Sequence, residues 1–145
     1  MGNVYSDGYN ADNATPPVNH KPNTGGGRVR YYYDTYLQGA SDGTIGDVVV
    51  MKNMPKGARF IPGGMVYFGT GNTNETLAVG YTGTAAGLVA ATAAATAGSA
   101  ALAVPFSAAE GTLEMSADTA IIVTNATAAI KAAQRITVHI PYVID

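Results

Sequence analysis

Cysteine is absent from the 145 residues. Disulfides and Cys-based metal sites are therefore excluded. Histidine is scarce too: His20 and His139 are the two in the chain, and with no Cys beside them the ligand count predicts no His-based metal site. Charge is in short supply. Asp, Glu, Lys and Arg make up 12% of the chain, against about 25% in a typical soluble domain. There is no basic excess, since 8 Lys and Arg stand against 10 Asp and Glu for a net charge of −2. The basic residues are scattered apart from the Arg28-Val29-Arg30 pair, so no nucleic-acid partner is predicted. Nor is a membrane span. The Ala-rich stretch is the one candidate, and Thr84, Gly87, Thr92, Thr96, Gly98 and Ser99 make it too polar to insert. The first residues have neither a basic n-region nor an apolar h-region, so no secretory signal is expected.

What is present is apolar surface. Hydrophobic residues make up 47% of the chain, and a chain of this length forms one domain that buries about 70% of its unfolded surface. So much apolar residue with so little charge predicts a surface covered by something else, most simply another copy. Tyrosines crowd the first quarter: Tyr5, Tyr9, Tyr31, Tyr32, Tyr33 and Tyr36. Tyrosine combines large contact area with a polar tip and is favoured at interfaces.

Two regions follow from the pattern along the chain. Residues 1–27 are rich in Asn, Asp, Gly and Pro, with Val4, Tyr5, Tyr9 and Val18 the sparse large apolar residues. That composition cannot offset the entropy of ordering by itself, so an extended arm is expected, with Gly25-Gly26-Gly27 as its hinge. Residues 28–145 read as an all-β body. Arg28–Gln38 alternates with period two, Val29, Tyr31, Tyr33, Thr35 and Leu37 on one face and Arg28, Arg30, Tyr32, Asp34, Tyr36 and Gln38 on the other. Val48–Met51 reads as a strand buried on both faces, and Pro55-Lys56-Gly57 as a turn. Ala58–Ile61 and Met65–Thr70 are strands broken at Pro62-Gly63-Gly64. Thr76–Tyr81 alternates again. Residues 84–103 are dominated by Ala and predict a short helix or a compact loop, after which Val104-Pro105-Phe106 re-enters the core. Thr112–Ser116 and Thr119–Thr124 are strands. In the last strand, Arg135–Ile144, the residues Ile136, Val138, Ile140, Tyr142 and Ile144 form an apolar face. Pro141 places that strand at an edge or near its end. Seven or eight short strands at this spacing predict an antiparallel β-sandwich or jelly roll.

Signs of chemistry are few. Gly69-Thr70-Gly71 and Gly25-Gly26-Gly27 lack the Lys-Ser/Thr and helix start of a phosphate loop. Gly39-Ala40-Ser41-Asp42-Gly43 spells Gly-x-Ser-x-Gly but reads as a turn between strands, without the helix that must follow the serine of a nucleophile elbow. Asp7, Asn10, Asp12 and Asn13 lack the central Gly and terminal Glu of a calcium loop. No cofactor, metal or catalytic residue is predicted. Met1-Gly2-Asn3-Val4-Tyr5-Ser6 fits the myristoylation pattern and Asn13, Asn74 and Asn125 fit glycosylation sequons, both short patterns that this composition produces by chance.

The run Gly46-Asp-Val-Val-Val-Met-Lys-Asn-Met-Pro-Lys-Gly-Ala-Arg-Phe-Ile-Pro-Gly-Gly-Met-Val-Tyr-Phe68, with Thr76-Leu-Ala-Val-Gly80 after it, resembles a group of small structural proteins of tailed bacteriophages. Leu88-Val-Ala-Ala-Thr92 and Ile136-Thr-Val-His-Ile-Pro-Tyr-Val-Ile-Asp145 are similar in style, and the likeness covers roughly residues 28–145. The resemblance implies a jelly-roll decoration, or cement, protein on the outer capsid surface, often a homotrimer. Its partners would be other copies of itself and the major capsid protein. It would occupy the host cytoplasm before assembly and the virion after it. Tyr5, Tyr9, Arg28, Arg30, Tyr32 and Tyr36 are the candidate interaction residues. An alternative is a head-fibre or tail-associated adhesion module whose loops at 39–44, 71–75 and 107–112 bind a host glycan. A small β-sandwich enzyme would need convergent carboxylates. The spacing of Asp34, Asp42, Asp47, Glu75, Glu110, Glu114 and Asp118 does not indicate them.

Overall fold

The computed structural model describes residues 28–103, 106–107 and 111–144. Eleven strands run through them: β1 (Arg28–Leu37), β2 (Val48–Met54), β3 (Arg59–Phe60), β4 (Met65–Phe68), β5 (Thr76–Tyr81), β6 (Thr84–Ala93), β7 (Gly98–Ala101), β8 (Phe106–Ser107), β9 (Gly111–Thr112), β10 (Thr119–Asn125) and β11 (Arg135–Ile144). There is no helix among the described residues. One sheet has the order β1-β11-β4-β7, with β3 also pairing to β11, and the other has the order β2-β10-β5-β6. All pairings are antiparallel. Without the two-residue strands, eight remain, and only β5 and β6 are both consecutive and paired. Every other connection between these eight crosses from one sheet to the other. That winding is the jelly roll, the two-sheet solution predicted from the strand count.

The core lies between the two inner faces and follows period two. Ile136, Val138 and Ile140 of β11 are buried, as expected. They are enclosed with Val66 and Phe68 of β4, Leu77 and Val79 of β5, and Ile121 and Val123 of β10. Each such side chain contributes roughly 1.5–3 kcal/mol by leaving water. Val48–Met51 departs from its expected double burial. Val49 and Met51 point inward, whereas Val48 and Val50 are 52% and 68% exposed. A strand buried on both faces needs a layer on each side, and no described element covers the outer face of β2.

The Ala-rich stretch is neither helix nor loop. It forms the paired strand β6 and then β7. Alanine favours helix by only a few tenths of a kcal/mol per residue over its competitors, and pairing with β5 and β4 overrides that preference. The small side chains allow a close approach. A Cβ on Gly80 of β5 would sit 2.0 Å from the Thr84 carbonyl oxygen. The β5–β6 register slips between Leu77 and Val79 and again before Tyr81. The slips let the adjacent Leu88 and Val89 both reach the core, which strict alternation forbids.

Turn chemistry matches the sequence. Ala58 N–H donates to the Pro55 carbonyl at 3.1 Å, and Gly57 has φ +80°, a type II turn with glycine at its required position. Pro141 lies near the end of its strand, one of the two placements expected of it. β11 is not at an edge, since it lies between β1 and the β4/β3 side. The Pro141 carbonyl accepts from Ile61 N–H at 3.0 Å, so its missing N–H falls on the same side, where β4 has ended at Met65 and β3 begins at Phe60. The Pro62-Gly63-Gly64 break in one strand and Pro141 in the next accommodate each other. The arm at 1–27 and the re-entry at Val104-Pro105-Phe106 lie wholly or partly outside the described residues.

Candidate interaction surfaces

The described carboxylates act locally. Asp34 accepts from Thr35 N–H at 2.9 Å and from Lys52 N–H at 2.8 Å. Asp42 accepts from Ala132 N–H and Asn72 Nδ2, both of which hold its carboxyl below the usual range. Asp47 caps Thr44 N–H, Asp118 takes Lys56 N–H, and Glu75, fully buried, takes Asn72 N–H. Glu114 pairs with Arg59 at 2.5 Å. Each of these carboxylates is engaged in fastening a strand, loop or turn, and no three acidic or histidine groups among the described residues come together as metal ligands would.

The candidate interaction residues are distributed unevenly. Tyr5 and Tyr9 lie outside the described residues. Arg28 and Arg30 are exposed at the start of β1. Tyr36 is half-buried against the core, and its hydroxyl donates to Gln38 Oε1 at 2.6 Å. Tyr32 is in the core, only 2% exposed, with its hydroxyl donating to the Lys52 carbonyl at 2.8 Å. Burial, and secondarily the Asp34 charge, hold its phenol well above the ordinary tyrosine range. Tyr32 is therefore not an exterior residue. The face of β1 that carries it looks into the sandwich, and the opposite face looks out.

That outward face belongs to one continuous sheet surface. Tyr31 and Tyr33 of β1 are 65% and 62% exposed, and Val29 and Leu37 flank them. In register beside them run Val143, Pro141, His139 and Thr137 of β11, then Met65 and Tyr67 of β4. The rings of Tyr31 and His139 stack at 5.1 Å and 11°, and the Thr35 and Thr137 hydroxyls are 2.9 Å apart. On the other sheet, Val48 and Val50, with Ile45 just before them, make a smaller exposed aliphatic strip. The signal for both surfaces was in the sequence, as apolar residues on both alternating sets of one strand. Which set faces out was not.

Most charged side chains lie elsewhere. Asp42, Asp47, Glu75, Lys131 and Arg135 sit at one end of the sandwich, whose loops are joined by the Gly43–Ile130 and Asn72–Ala129 hydrogen bonds. Arg28, Arg30, Lys56, Arg59, Glu114 and Asp118 sit at the other end, joined by Gly57–Met115 and Lys56–Asp118. Asp34 and Lys52 lie along the β1–β2 side.

Comparison with family models and with curated proteins finds no match. Two solved structures share the fold. A chain of the capsid asymmetric unit of cyanophage Pam1 superposes with a TM-score of 0.69 at 24% identity, over 92% of this chain and 97% of that one. A chain of the capsid of Ralstonia phage GP4 gives a TM-score of 0.63 at 16% identity, over 82% of this chain and 86% of that one. At these identities the likeness establishes a common jelly-roll architecture, found twice in chains that belong to phage capsids.

Proposed function

We propose that this chain is a non-enzymatic decoration protein that binds the outside of a bacteriophage capsid, bridges major-capsid subunits and stabilises their lattice. The observation that carries the reading is the pair of nearly uncharged, apolar sheet faces on a fold shared with two capsid chains. A soluble monomer rarely leaves patches of this size uncovered, whereas a lattice component has a neighbour on several sides. The mechanism is mass action: a ligand that binds only the assembled lattice lowers the free energy of the assembled state. Residues 1–27 join the body at the end that carries Arg28, Arg30 and Lys56. On this reading the arm, with Tyr5 and Tyr9, extends from that basic end across the capsid surface and orders on binding. The body acts as a homo-oligomer, a trimer on the resemblance of the sequence.

Co-sedimentation of the purified chain with capsids that lack it tests the reading. Saturable binding that raises the capsid's disassembly temperature is the expected result. No binding, with retention on immobilised host glycans instead, would sink it in favour of the adhesion module.

A further inference from the structure

We propose that the outer face of the β1-β11-β4 sheet is the surface on which one copy of this chain packs against another, with Tyr31, Tyr33 and Tyr67 as its anchors. The inference rests on the oligomer part of the reading above and supplies the surface that part lacks.

Three observations favour a second copy as the occupant. The first is charge. Arg135 lies at one rim of the face, and the Arg59–Glu114 pair at the other. Between them, the outward-facing residues Val29, Tyr31, Tyr33, Thr35 and Leu37 of β1, Thr137, His139 and Val143 of β11, and Met65 and Tyr67 of β4 include no carboxylate, lysine or arginine. Two identical faces can meet without bringing like charges together, a condition that a self-complementary contact must satisfy. A differently charged partner would find nothing here to complement.

The second is area. Val29, Tyr31, Tyr33, Leu37 and Tyr67 are each about half exposed or more. Together they offer on the order of 500 Å². Thr35, Thr137, His139 and Val143 lie among them and bring the face toward the roughly 800 Å² per partner that stable interfaces bury. The aliphatic strip of Ile45, Val48 and Val50 is smaller and has no aromatic anchor.

The third is chemistry. Interface centres are enriched in tyrosine and depleted of charge, and energetic anchors are most often Trp, Tyr or Arg. The hydroxyls of Tyr31, Tyr33 and Tyr67 have no partner among the described residues, so each can bond across the contact. The Tyr31–His139 stack holds one anchor ring in place before association, which lowers the entropy cost of ordering it.

Sedimentation equilibrium of the full chain from about 1 µM to about 100 µM, beside Tyr33→Glu, Tyr67→Glu and Val50→Glu, tests the proposal. The wild type should be an oligomer. Each tyrosine variant should raise the dissociation constant by about 30-fold or more, and Val50→Glu, on the other sheet, should leave it unchanged. A second measurement needs no variant. Nitration of the wild-type chain should mark Tyr31, Tyr33 and Tyr67 at low concentration and spare them at high concentration. A monomeric wild type, tyrosine variants that associate normally, or nitration that is independent of concentration would each overturn the proposal. Capsid co-sedimentation in parallel separates the two ideas. A chain that binds capsids as a monomer keeps the decoration role and loses this interface. A chain that oligomerises through this face without binding capsids does the reverse.

Discussion

At the scale of single residues, Tyr32 shows what alternation can and cannot reveal. Period two sorted β1 into two sets correctly, but both sets carried tyrosines, so composition could not say which one looks inward. The structure decides it by partners. Tyr32 reaches the Lys52 carbonyl across the sandwich edge, and Asp34 on the same face accepts the Lys52 N–H. Arg28 and Arg30 belong to the same set and are exposed at the start of the strand, ahead of its first core residue. Tyr32→Phe keeps the ring and removes one hydrogen bond, at an expected cost of about 1 kcal/mol at neutral pH. It should also change the alkaline limb. Burial and Asp34 raise the folded-state phenol above its unfolded value of about 10. The neutral form is therefore favoured in the fold. Its contribution is fully present below about pH 10 and is lost as pH rises through the folded value. Urea midpoints between about pH 8 and pH 11 should fall less steeply for Tyr32→Phe than for the wild type. Equal slopes would mean that Tyr32 ionises freely in the folded chain.

At the scale of elements, strands with alternating large side chains were legible, and those built from small residues were not. β5 was predicted to its exact ends and β11 with the correct inner face, because Ile136, Val138 and Ile140 leave one choice of core side. β6 and β7 were missed because their partners, not their own side chains, determine them, and alanine advertises no strand. The register of β11 can be tested directly. Val138→Asp places an unpaired carboxylate between the sheets, at an expected cost of about 3 kcal/mol or more. His139→Ala loses the stack on Tyr31 and, measured at a concentration where the chain is monomeric, should cost less than about 1 kcal/mol. Denaturant midpoints in the reverse order would mean that the strand is flipped. The turn after β2 gives a finer test. At φ +80°, Gly57 occupies a conformation that alanine resists, while the space around it is open, with Ile144 Cγ1 the nearest neighbour at 3.9 Å. Gly57→Ala should therefore cost about 1 kcal/mol from backbone strain alone. A neutral effect on the melting temperature would show that the turn can relax.

For the whole molecule, composition announced a shortage of charge but not its arrangement, which only the winding of the chain reveals. The jelly roll brings its loops to two ends and leaves two broad sheet faces. Most charges lie at those ends, on loops or on the terminal residues of strands, so the faces are left largely apolar. The same winding bears on residues 1–27. Among the described residues the core begins at Tyr32 and is built from β1 onward, and β1 is held along all ten residues by β11. The sparse apolar residues before Arg28 form no core pattern of their own. A chain starting at Arg28 should therefore melt within a few degrees of the full-length protein and keep the oligomeric state set by its sheet faces. If the arm carries part of the attachment, the same truncation should weaken capsid binding by several-fold or more, since a tethered second contact multiplies affinity without altering the first. Calorimetry and co-sedimentation on one preparation measure both quantities. A truncated body that unfolds would make the arm a structural strand and move the domain boundary upstream of Arg28. A truncated body that binds capsids as tightly as the full chain would leave attachment to the sheet faces and the loops alone.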